Sequence, residues 1–352
     1  MSAEPVSTDA VFEAKRVLVT GGTGSLGAHL VDRLLAGVDG RPAQITVLSR
    51  DEAKQHDMRL RLARRGRATD EVIYGDAAAQ VRFRVGDVRD PRSLRQALEG
   101  VDVVVHAAAM KQVPTCEYVP WEAVRTNVEG TVHLVDAVRA AGGVETVVGV
   151  STDKACLPVN VMGMTKALME RVLIEANLTD DATRYVCVRY GNVVASRGSV
   201  IPMLVDQVAA GGPLTLTDPA MTRFFLTLDD ACATVAAAIA HGLPGEIWVP
   251  HVGAARLVDV LDAVRAGTDV DVEVVGIRPG EKLHEQLVSA EEALRTVLVG
   301  DYAVIAPLAP EFARRAGTPI GGAWSSEAVD LDAAAVAALL ARAGVEVGAT
   351  PR

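Results

Sequence analysis

The chain has 352 residues, of which 49% are hydrophobic and 23% charged, and this balance excludes a disordered or collagen-like protein. Its 45 acidic residues outnumber the 35 basic ones, so the net charge is −10 at pH 7. A broad surface for nucleic acid or for an anionic membrane is therefore not expected. The length suits one large α/β domain with an added lobe, or two domains.

Cysteine usage and the N-terminal sequence indicate the compartment. The four cysteines are far apart and show no CxxC spacing, which is typical of reduced thiols in a cytoplasmic protein. Residues 1–15 lack the basic and apolar segments of a secretory signal, and no apolar run approaches the roughly 18 residues that span a bilayer. The sequence therefore predicts a cytoplasmic protein without a membrane segment, and it predicts no metal site.

The first half of the chain alternates short β-branched runs with glycine turns and helical periods. Such apolar runs predict strands that are buried on both faces of a parallel sheet. They lie at 16–20, 44–49, 81–85, 101–106, 145–151 and 184–190. The predicted fold class is α/β, with a doubly wound parallel Rossmann sheet and right-handed crossovers.

Beyond Tyr190 the alternation loosens into loops that contain glycine and proline, with shorter helices and strands. This change predicts a smaller C-terminal substrate-binding lobe over the carboxyl edge of the sheet. The expected division of the chain is a flexible N-terminus at 1–15, a Rossmann domain at 16–190 that also receives about 229–252, a lobe formed by 191–228 and 253–330, and a C-terminal helix and tail at 331–352.

A glycine-rich loop follows the first predicted strand and opens a helix. Its glycines permit a tight turn, close approach of backbone N–H groups to a pyrophosphate, and close packing of helix on strand. This context favours dinucleotide binding over a flexible connecting loop. The candidate cofactor-binding residues in the loop are Gly21, Thr23, Gly24, Ser25, Leu26 and Gly27.

The end of the second predicted strand carries Ser49 and Arg50, where an acidic residue would indicate NAD. A hydroxyl and a guanidinium suit a 2′-phosphate, so the predicted cofactor is NADP. Asp51 and Glu52 follow and are open to interpretation as the NAD acid, but they also favour the N-terminus of the next helix.

Further cofactor contacts are predicted at the ends of the third and fourth strands. Asp87 and Val88 are placed to meet the adenine edge, with a simple turn aspartate as the alternative. Ala107 and Ala108 offer small side chains where a nicotinamide ribose would lie.

Polar side chains gather where the fifth strand ends, at the edge where open α/β sheets bind ligands. Thr152, Asp153 and Lys154 supply a hydroxyl, a carboxylate and an amine in consecutive positions. Met162 and Lys166 follow, four residues apart on one face of a helix. These five residues are the candidate catalytic residues, and Lys166 is also a candidate cofactor ligand.

These motifs identify a family resemblance that covers nearly the whole chain. The sequence resembles the extended short-chain dehydrogenases/reductases, and among them the inverting UDP-N-acetylglucosamine 4,6-dehydratases of capsule, lipopolysaccharide and flagellin-glycan biosynthesis. Membrane-bound members carry an N-terminal transmembrane region, so the resemblance is to a soluble short form. The matching stretches are VTGGTGSLG (19–27), LSRDEAKQ (48–55), HAAAMKQVPTCEYVPWEAVRTNVEGT (106–131), STDKA (151–155), RYGNVVASRGSVIP (189–202), TDPAMTRFF (217–225) and GIRPGEKLHEQL (276–287).

The resemblance implies an enzyme, a lyase with transient NADP redox chemistry. Hydride passes from C4 of the sugar to the cofactor and returns at C6. Between these steps Lys154 removes the C5 proton and Asp153 protonates the departing 6-hydroxyl. Lys154 would have to be neutral, so burial or the nearby Lys166 is expected to lower its pKa. Lys166 would hold the nicotinamide ribose, and Thr152 would hydrogen-bond the sugar.

The resemblance also assigns the substrate contacts and the partners. The lobe is expected to bind the UDP half of the substrate with guanidinium groups and amides. A homo-oligomer is expected, with no nucleic-acid or membrane partner. The candidate substrate-binding residues are Lys111, Asn192, Arg197, Ser199, Arg278 and Glu281.

One residue departs from the superfamily pattern, in which a tyrosine precedes the lysine by four positions. Met162 occupies that position, as in some dehydratases of the subgroup, and a thioether cannot carry a proton. Lys154, Asp153 or a water near Lys166 would then take the O4 proton. The alternatives are a UDP-sugar epimerase acting at C4 or C5, which needs no acid for the 6-hydroxyl, and a non-catalytic NADP-binding sensor.

Overall fold

A computed structural model describes residues 6–64 and 80–345 of the chain. The strands in these ranges are β1 Arg16–Thr20, β2 Gln44–Ser49, β3 Val81–Val85, β4 Val103–His106, β5 Thr146–Val150, β6 Arg184–Val188, β7 Asn192–Val193, β8 Leu214–Leu216, β9 Thr222–Leu226, β10 Ile247–Pro250, β11 Ala254–Arg256, β12 Val272–Val274, β13 Gln286–Val288, β14 Thr296–Val299, β15 Tyr302–Ile305 and β16 Trp324–Ser325.

The helices connect the strands and cover the faces of the sheets. They are α1 Ser25–Ala36, α2 Glu52–Arg64, α3 Pro91–Ala97, α4 Val113–Tyr118, α5 Pro120–Val124, α6 Gly130–Ala141, α7 Val161–Ala176, α8 Val200–Ala210, α9 Leu228–His241, α10 Leu257–Val264, α11 Ala290–Ala293 and α12 Ala333–Arg342. A π-helical turn at Arg125–Glu129 precedes α6, and a 3-10 turn at Asp153–Ala155 follows β5.

The main sheet has the strand order β3-β2-β1-β4-β5-β6-β10-β15-β14 within the described residues. The strands from β3 to β10 are parallel, and β15 and β14 add an antiparallel edge. The predicted α/β class with a doubly wound Rossmann sheet is confirmed. The six predicted strands are present, and the last three are shorter at their ends by one or two residues.

Both faces of the main sheet are buried, which explains the continuous apolar runs. In β1, Leu18 packs into a cluster with Leu94 and Leu134 on one face. Val17 and Val19 point to the other face, where the cluster includes residues of α1 and the alanine-rich α9. Side chains that alternate along a strand thus reach two cores, which explains why most residues of these strands are apolar.

A smaller lobe has its own core. It contains the sheet β11-β9-β7, the pair β12-β8, and the helices α8, α10 and α12. Leu204, Leu261 and Leu340 are almost fully buried between these helices. The lobe is therefore a packed unit, and the segments that lead into it start at the carboxyl edge of the main sheet.

The structure corrects two of the predicted segment boundaries. Residues 296–305 form β14 and β15 of the main sheet, whereas the sequence assigned 253–330 as a whole to the lobe. Residues 1–15 were expected to be flexible, but Phe12 is fully buried in the core beside α1. Residues 1–5 of that segment lie outside the described residues.

The remaining boundaries fall as follows. Helix α9 and strand β10, which together cover most of about 229–252, lie on and in the main sheet. Helix α12 lies within 331–352, and the tail after residue 345 is outside the described part, as are residues 65–79 of the predicted Rossmann domain. In the ranges that the structure covers, no helix combines the length and apolarity needed to cross a bilayer.

Candidate active site

A cleft of about 1880 Å³ lies between the carboxyl edge of the main sheet and the lobe. Parallel strands end there together, so side chains from distant parts of the chain meet. Every site residue predicted from the sequence lines this cleft: Gly21, Thr23, Gly24, Ser25, Leu26, Gly27, Ser49, Arg50, Asp87, Val88, Ala107, Ala108, Lys111, Thr152, Asp153, Lys154, Met162, Lys166, Asn192, Arg197, Ser199, Arg278 and Glu281.

The glycine loop has the shape of a pyrophosphate cradle. Gly21 has φ +66°, and a Cβ there would lie 2.8 Å from the backbone of Ala108. A Cβ on Gly27 would lie 2.5 Å from the Cα of Gly22, so α1 packs directly on the loop. Gly24 caps α1 without a side-chain hydrogen bond, and the first turn has no acidic residue. The loop thus fits a bound dinucleotide. Its phosphates would accept hydrogen bonds from the backbone N–H groups of that turn.

Residues at the end of β2 line the part of the cleft that would hold the other end of the cofactor. The Arg50 side chain is 54% exposed and lies 3.9 Å from the Asp87 carboxylate. Burial opposes the charge of Asp87, but hydrogen bonds from Arg89 outweigh this effect and lower the Asp87 pKa. The hydroxyl of Ser49 accepts a hydrogen bond from Gln55. The Asp51 carboxylate accepts a hydrogen bond from the backbone N–H of Lys54, so it stabilises the start of α2.

The residues after β5 form a hydrogen-bonded chain. Thr152 donates its hydroxyl to Asp153 Oδ1 at 2.8 Å, and Lys154 Nζ lies 3.1 Å from the same oxygen. Glu285, which follows the RPGEKLH stretch of the lobe, lies 3.4 Å from Lys154 Nζ. Asp153 is fully buried and Glu285 nearly so.

This arrangement contradicts one expectation from the sequence. Burial does oppose the charge of Lys154, but Asp153 and Glu285 outweigh it and raise the Lys154 pKa above its ordinary value. The main cation that opposes this shift is Arg223, and not Lys166. Lys154 is therefore an ammonium at neutral pH. Sequence reasoning missed Glu285 because its motif reveals no distance to a residue so far away in the chain.

Lys166 and Met162 lie on α7 on the floor of the cleft. Lys166 is almost fully buried, and burial lowers its pKa to about 8. Its ammonium contacts the sulfur of Met169 at 2.8 Å. Met162 is 5% exposed and packs with Cys116 and Ala123. A flexible thioether in an apolar cluster contributes shape to the floor of the cleft.

A segment of the lobe lies across the glycine loop. The Arg197 guanidinium donates to the carbonyl of Thr23, and its backbone N–H donates to Ser25 Oγ at 3.0 Å. Lys111 Nζ in turn donates to the carbonyl of Arg197 at 2.8 Å. Two residues predicted to bind substrate thus contact each other, and Arg197 also contacts the cofactor loop.

The other predicted substrate residues line the lobe side of the cleft. Ser199 donates its hydroxyl to Ser196, and Glu281 accepts the backbone N–H of Arg278, which stabilises that turn. The side-chain oxygen of Asn192 is buried and has no hydrogen-bond partner among the described residues. A buried acceptor of this kind is costly unless a ligand or water donates to it.

Comparison with known proteins gives two kinds of relative. A UDP-glucose 4-epimerase of Rickettsia canadensis is 41% identical over 297 residues, which are 83% of each chain. An uncharacterised membrane protein of Methanocaldococcus jannaschii is also 41% identical, over 84% of this chain and 87% of its own.

Solved structures show the same fold. Pen from Bacillus thuringiensis superposes with a TM-score of 0.83 at 31% identity, covering 94% of this chain and 98% of that one. The dTDP-glucose 4,6-dehydratase DesIV of Streptomyces venezuelae, solved with NAD bound, has a TM-score of 0.65 at 29% identity, covering 76% and 86%.

The model of the family described as polysaccharide biosynthesis protein matches residues 17–307. That range includes the glycine loop, the turn after β5, the lobe segment at 191–228 and Glu285. With relatives that are 41% identical over most of their length, the chain belongs to this polysaccharide biosynthesis protein family.

Proposed function

We propose that the protein is an NADP-dependent nucleotide-sugar 4,6-dehydratase that converts UDP-N-acetylglucosamine, with inversion at C5, to a 4-keto-6-deoxy sugar nucleotide. The observation that carries this proposal is the pair of Asp153 and Lys154 at the carboxyl edge of the sheet, 3.1 Å apart in a cleft that also holds the glycine cradle. Loss of water needs a group that takes the C5 proton and a group that protonates the 6-hydroxyl.

The residues of the chain divide the work as follows. When bound, the nicotinamide supplies the acceptor and donor of the hydride that leaves C4 and arrives at C6. Lys166, at the floor of the cleft, would hold the nicotinamide ribose. Between them, Asp153 and Lys154 would remove the proton at C5 and protonate the departing 6-hydroxyl. Thr152 donates a hydrogen bond to the Asp153 carboxylate. Atoms balance because the protons of O4 and C5 leave, one proton departs with the 6-hydroxyl as water, one proton returns to C5, and the hydride stays within the sugar.

The cofactor assignment depends on Arg50 and Ser49 at the end of β2. The half-exposed guanidinium of Arg50 is available to a 2′-phosphate. Asp51, the nearest acid in sequence, already accepts a hydrogen bond from the backbone N–H of Lys54 at the start of α2. Release of the bound dinucleotide by denaturation and its identification by mass would test this. Recovery of NAD alone from freshly purified protein would contradict the NADP assignment.

A UDP-sugar 4-epimerase is the second candidate, since the Rickettsia relatives carry that name. An epimerase returns the hydride to C4 and needs no acid for the 6-hydroxyl. Met162, which cannot take a proton from O4, offers no advantage to either reaction. The carboxylate–ammonium pair favours the dehydratase.

The reaction with UDP-N-acetylglucosamine labelled with deuterium at C4 distinguishes the two. We expect loss of one water by mass and deuterium at C6 by NMR, and in heavy water the product should gain solvent deuterium at C5. A product of unchanged mass with inverted C4 would identify an epimerase.

Two lysine variants test whether the loss of water depends on the residues after β5. Lys154→Ala should abolish loss of water, whereas Lys15→Ala should leave it unchanged, because Lys15 precedes β1 at the opposite edge of the sheet and pairs with Glu145. Equal activity of Lys154→Ala and wild type would contradict the proposed role of the pair.

A further inference from the structure

Gln55 is a fully buried amide on the first turn of α2, directly behind the end of β2. Its Nε2 donates to the carbonyl of Ser49 at 3.1 Å and to the carbonyl of Arg84, near the end of β3, at 2.7 Å. The same nitrogen lies 3.1 Å from Ser49 Oγ. Ser49 is among the described residues that line the cleft and Gln55 is not, so Gln55 lies one layer behind the cofactor half of the cleft.

The contacts of Gln55 fix the direction of the Ser49 hydroxyl. A carbonyl oxygen only accepts hydrogen bonds, so the amide must present its nitrogen, and not its oxygen, to the carbonyls of Ser49 and Arg84. Ser49 Oγ, beside that same nitrogen, is then an acceptor. It has no second partner in the part of the chain that the structure covers, so its own hydrogen is left to donate into the cleft.

The backbone that carries this hydroxyl is also fixed. The N–H of Gly86, just beyond β3, donates to the Ser49 carbonyl at 3.0 Å, and Gln55 donates to the same carbonyl and to that of Arg84. The ends of β2 and β3 are therefore joined by one buried side chain. A donor on so rigid a support loses little entropy when a ligand binds.

A donor held in this direction suits a phosphate. Arg50 and Lys54, both more than half exposed, provide positive charge beside it. A hydrogen bond to a charged acceptor is about twice as strong as one between neutral groups. A fixed hydroxyl donor therefore favours a 2′-phosphate over the 2′-hydroxyl that NAD has in its place, beyond the general attraction of the two cations.

We propose that Gln55 is a positioning residue that sets the cofactor preference, by holding the Ser49 hydroxyl as a donor to the 2′-phosphate of NADP. This inference rests on the proposed NADP assignment. Gln55 itself would touch neither cofactor nor substrate and acts through Ser49. Loss of the amide should therefore weaken binding of the 2′-phosphate and leave the rest of the dinucleotide bound as before.

The test compares NADP⁺ with NAD⁺, which differ only in the 2′-phosphate. The full chain is freed of bound dinucleotide, and calorimetry gives the Kd of each compound. Ser49→Ala should weaken NADP⁺ binding about tenfold, because a hydrogen bond to a charged group contributes about 1.5 kcal/mol or more. Gln55→Met, which retains the volume but not the amide, should weaken it about fivefold, and both variants should change the Kd of NAD⁺ less than about twofold.

A double variant and a matched control connect the effect to Ser49. Gln55→Met combined with Ser49→Ala should bind NADP⁺ no more weakly than Ser49→Ala alone, because the amide has no hydroxyl left to hold. Gln80→Met is the matched control. Gln80 Nε2 donates to the carbonyl of Pro42 at 3.1 Å, at the opposite end of β2 and β3, so its loss should change neither Kd.

Several results would overturn the proposal. Equal weakening of NADP⁺ and NAD⁺ by Gln55→Met would show a merely structural role, and losses that add in the double variant would show that Gln55 does not act through Ser49. Should Gln55→Met not fold, Gln55→Asn replaces it, since its amide is one methylene too short to reach both strands. The same loss of preference is expected, and an unchanged ratio of the two Kd values overturns the proposal.

The outcome for the wild type separates this inference from the proposed function. Equal binding of NADP⁺ and NAD⁺ by the wild type would contradict the NADP assignment and the role of Gln55 together. A wild-type preference for NADP⁺ that Gln55→Met leaves intact would contradict the role of Gln55 alone. If no UDP-sugar loses water, the proposed reaction fails, but the Kd values still decide what Gln55 does.

Discussion

Arg197 connects the lobe to the cofactor half of the cleft through a few short contacts. Its guanidinium and its backbone N–H both bind the glycine loop, at Thr23 and Ser25, and its carbonyl accepts from Lys111. The resemblance assigned Arg197 to the substrate. Its position indicates that it also covers the cradle in which the pyrophosphate of the cofactor would lie.

We expect Arg197→Ala to release the dinucleotide about tenfold faster, because a hydrogen bond from a charged donor contributes about 1.5 kcal/mol or more. The measurement is the loss of bound reduced-nicotinamide fluorescence after dilution into excess oxidised dinucleotide. Arg278→Ala is the matched control and should leave this rate unchanged. A normal release rate in Arg197→Ala with a raised KM for the UDP-sugar would limit Arg197 to the substrate.

Helix α9 combines a side-chain cap at its N-terminus with close packing on the main sheet. Thr227 accepts the backbone N–H of Asp230, and the Asp230 carboxylate accepts the backbone N–H of Thr227, which forms a capping box. Most alanines of α9 are buried, so the helix lies close against β5 and β6. Arg342 at the end of α12 also pairs with Asp230. The start of α9 therefore joins the main sheet to the lobe.

Loss of the cap should lower stability without changing the fold. We expect Thr227→Ala to reduce the free energy of unfolding by about 1 kcal/mol, measured by urea denaturation. Thr227→Ser retains the hydroxyl that accepts the Asp230 N–H and should lose much less. An equal loss in both variants would indicate that the methyl group of Thr227, and not the cap, stabilises this end of α9.

Across the whole molecule, a buried charge cluster holds the C-terminal segment on the main sheet. Arg189, which follows β6, is about 1% exposed and pairs with Glu170 of α7 and Glu292 of α11, each at 2.8 Å. Glu170 also accepts the hydroxyl of Ser151 at 2.5 Å. The cluster thus connects the strand that carries the chemical residues to the segment that carries Glu285.

The pH dependence of stability should report this cluster. Burial opposes the charge of Glu292, but hydrogen bonds and the charge of Arg189 outweigh it and lower the Glu292 pKa from 4.5 to about 2. A depressed folded pKa stabilises the protein above the ordinary pKa, and the stabilisation is lost as pH falls through the folded value. Its contribution should therefore be complete above pH 4.5 and disappear towards pH 2.

Glu292→Gln should reduce the free energy of unfolding by about 3 kcal/mol at neutral pH, because it removes one partner of a buried ion pair. The difference from wild type should shrink as the pH falls through the same acidic range. Denaturant titrations at several pH values measure both, with Glu291→Gln, exposed on the same helix, as the control. A difference that stays constant with pH would contradict the role of the Glu292 charge.

The amino-acid pattern alone predicted the first six strands, the glycine loop and a large share of the residues that line the cleft. These features are local: alternation of apolar runs with glycine turns fixes parallel strands, and the ends of such strands share one edge. Thr152, Asp153 and Lys154 directly follow a strand, so their location at this edge needed no knowledge of the rest of the chain.

The contacts between distant segments depend on the tertiary fold. The addition of β14 and β15 to the main sheet, the position of Arg197 on Thr23 and the approach of Glu285 to Lys154 each join residues from separate parts of the chain. Such contacts follow from how the lobe packs on the sheet, which no local pattern encodes. The pKa of Lys154 is another such property: Asp153 and Glu285 outweigh burial and raise it, and the charges that surround a group are not given by its neighbours in sequence alone.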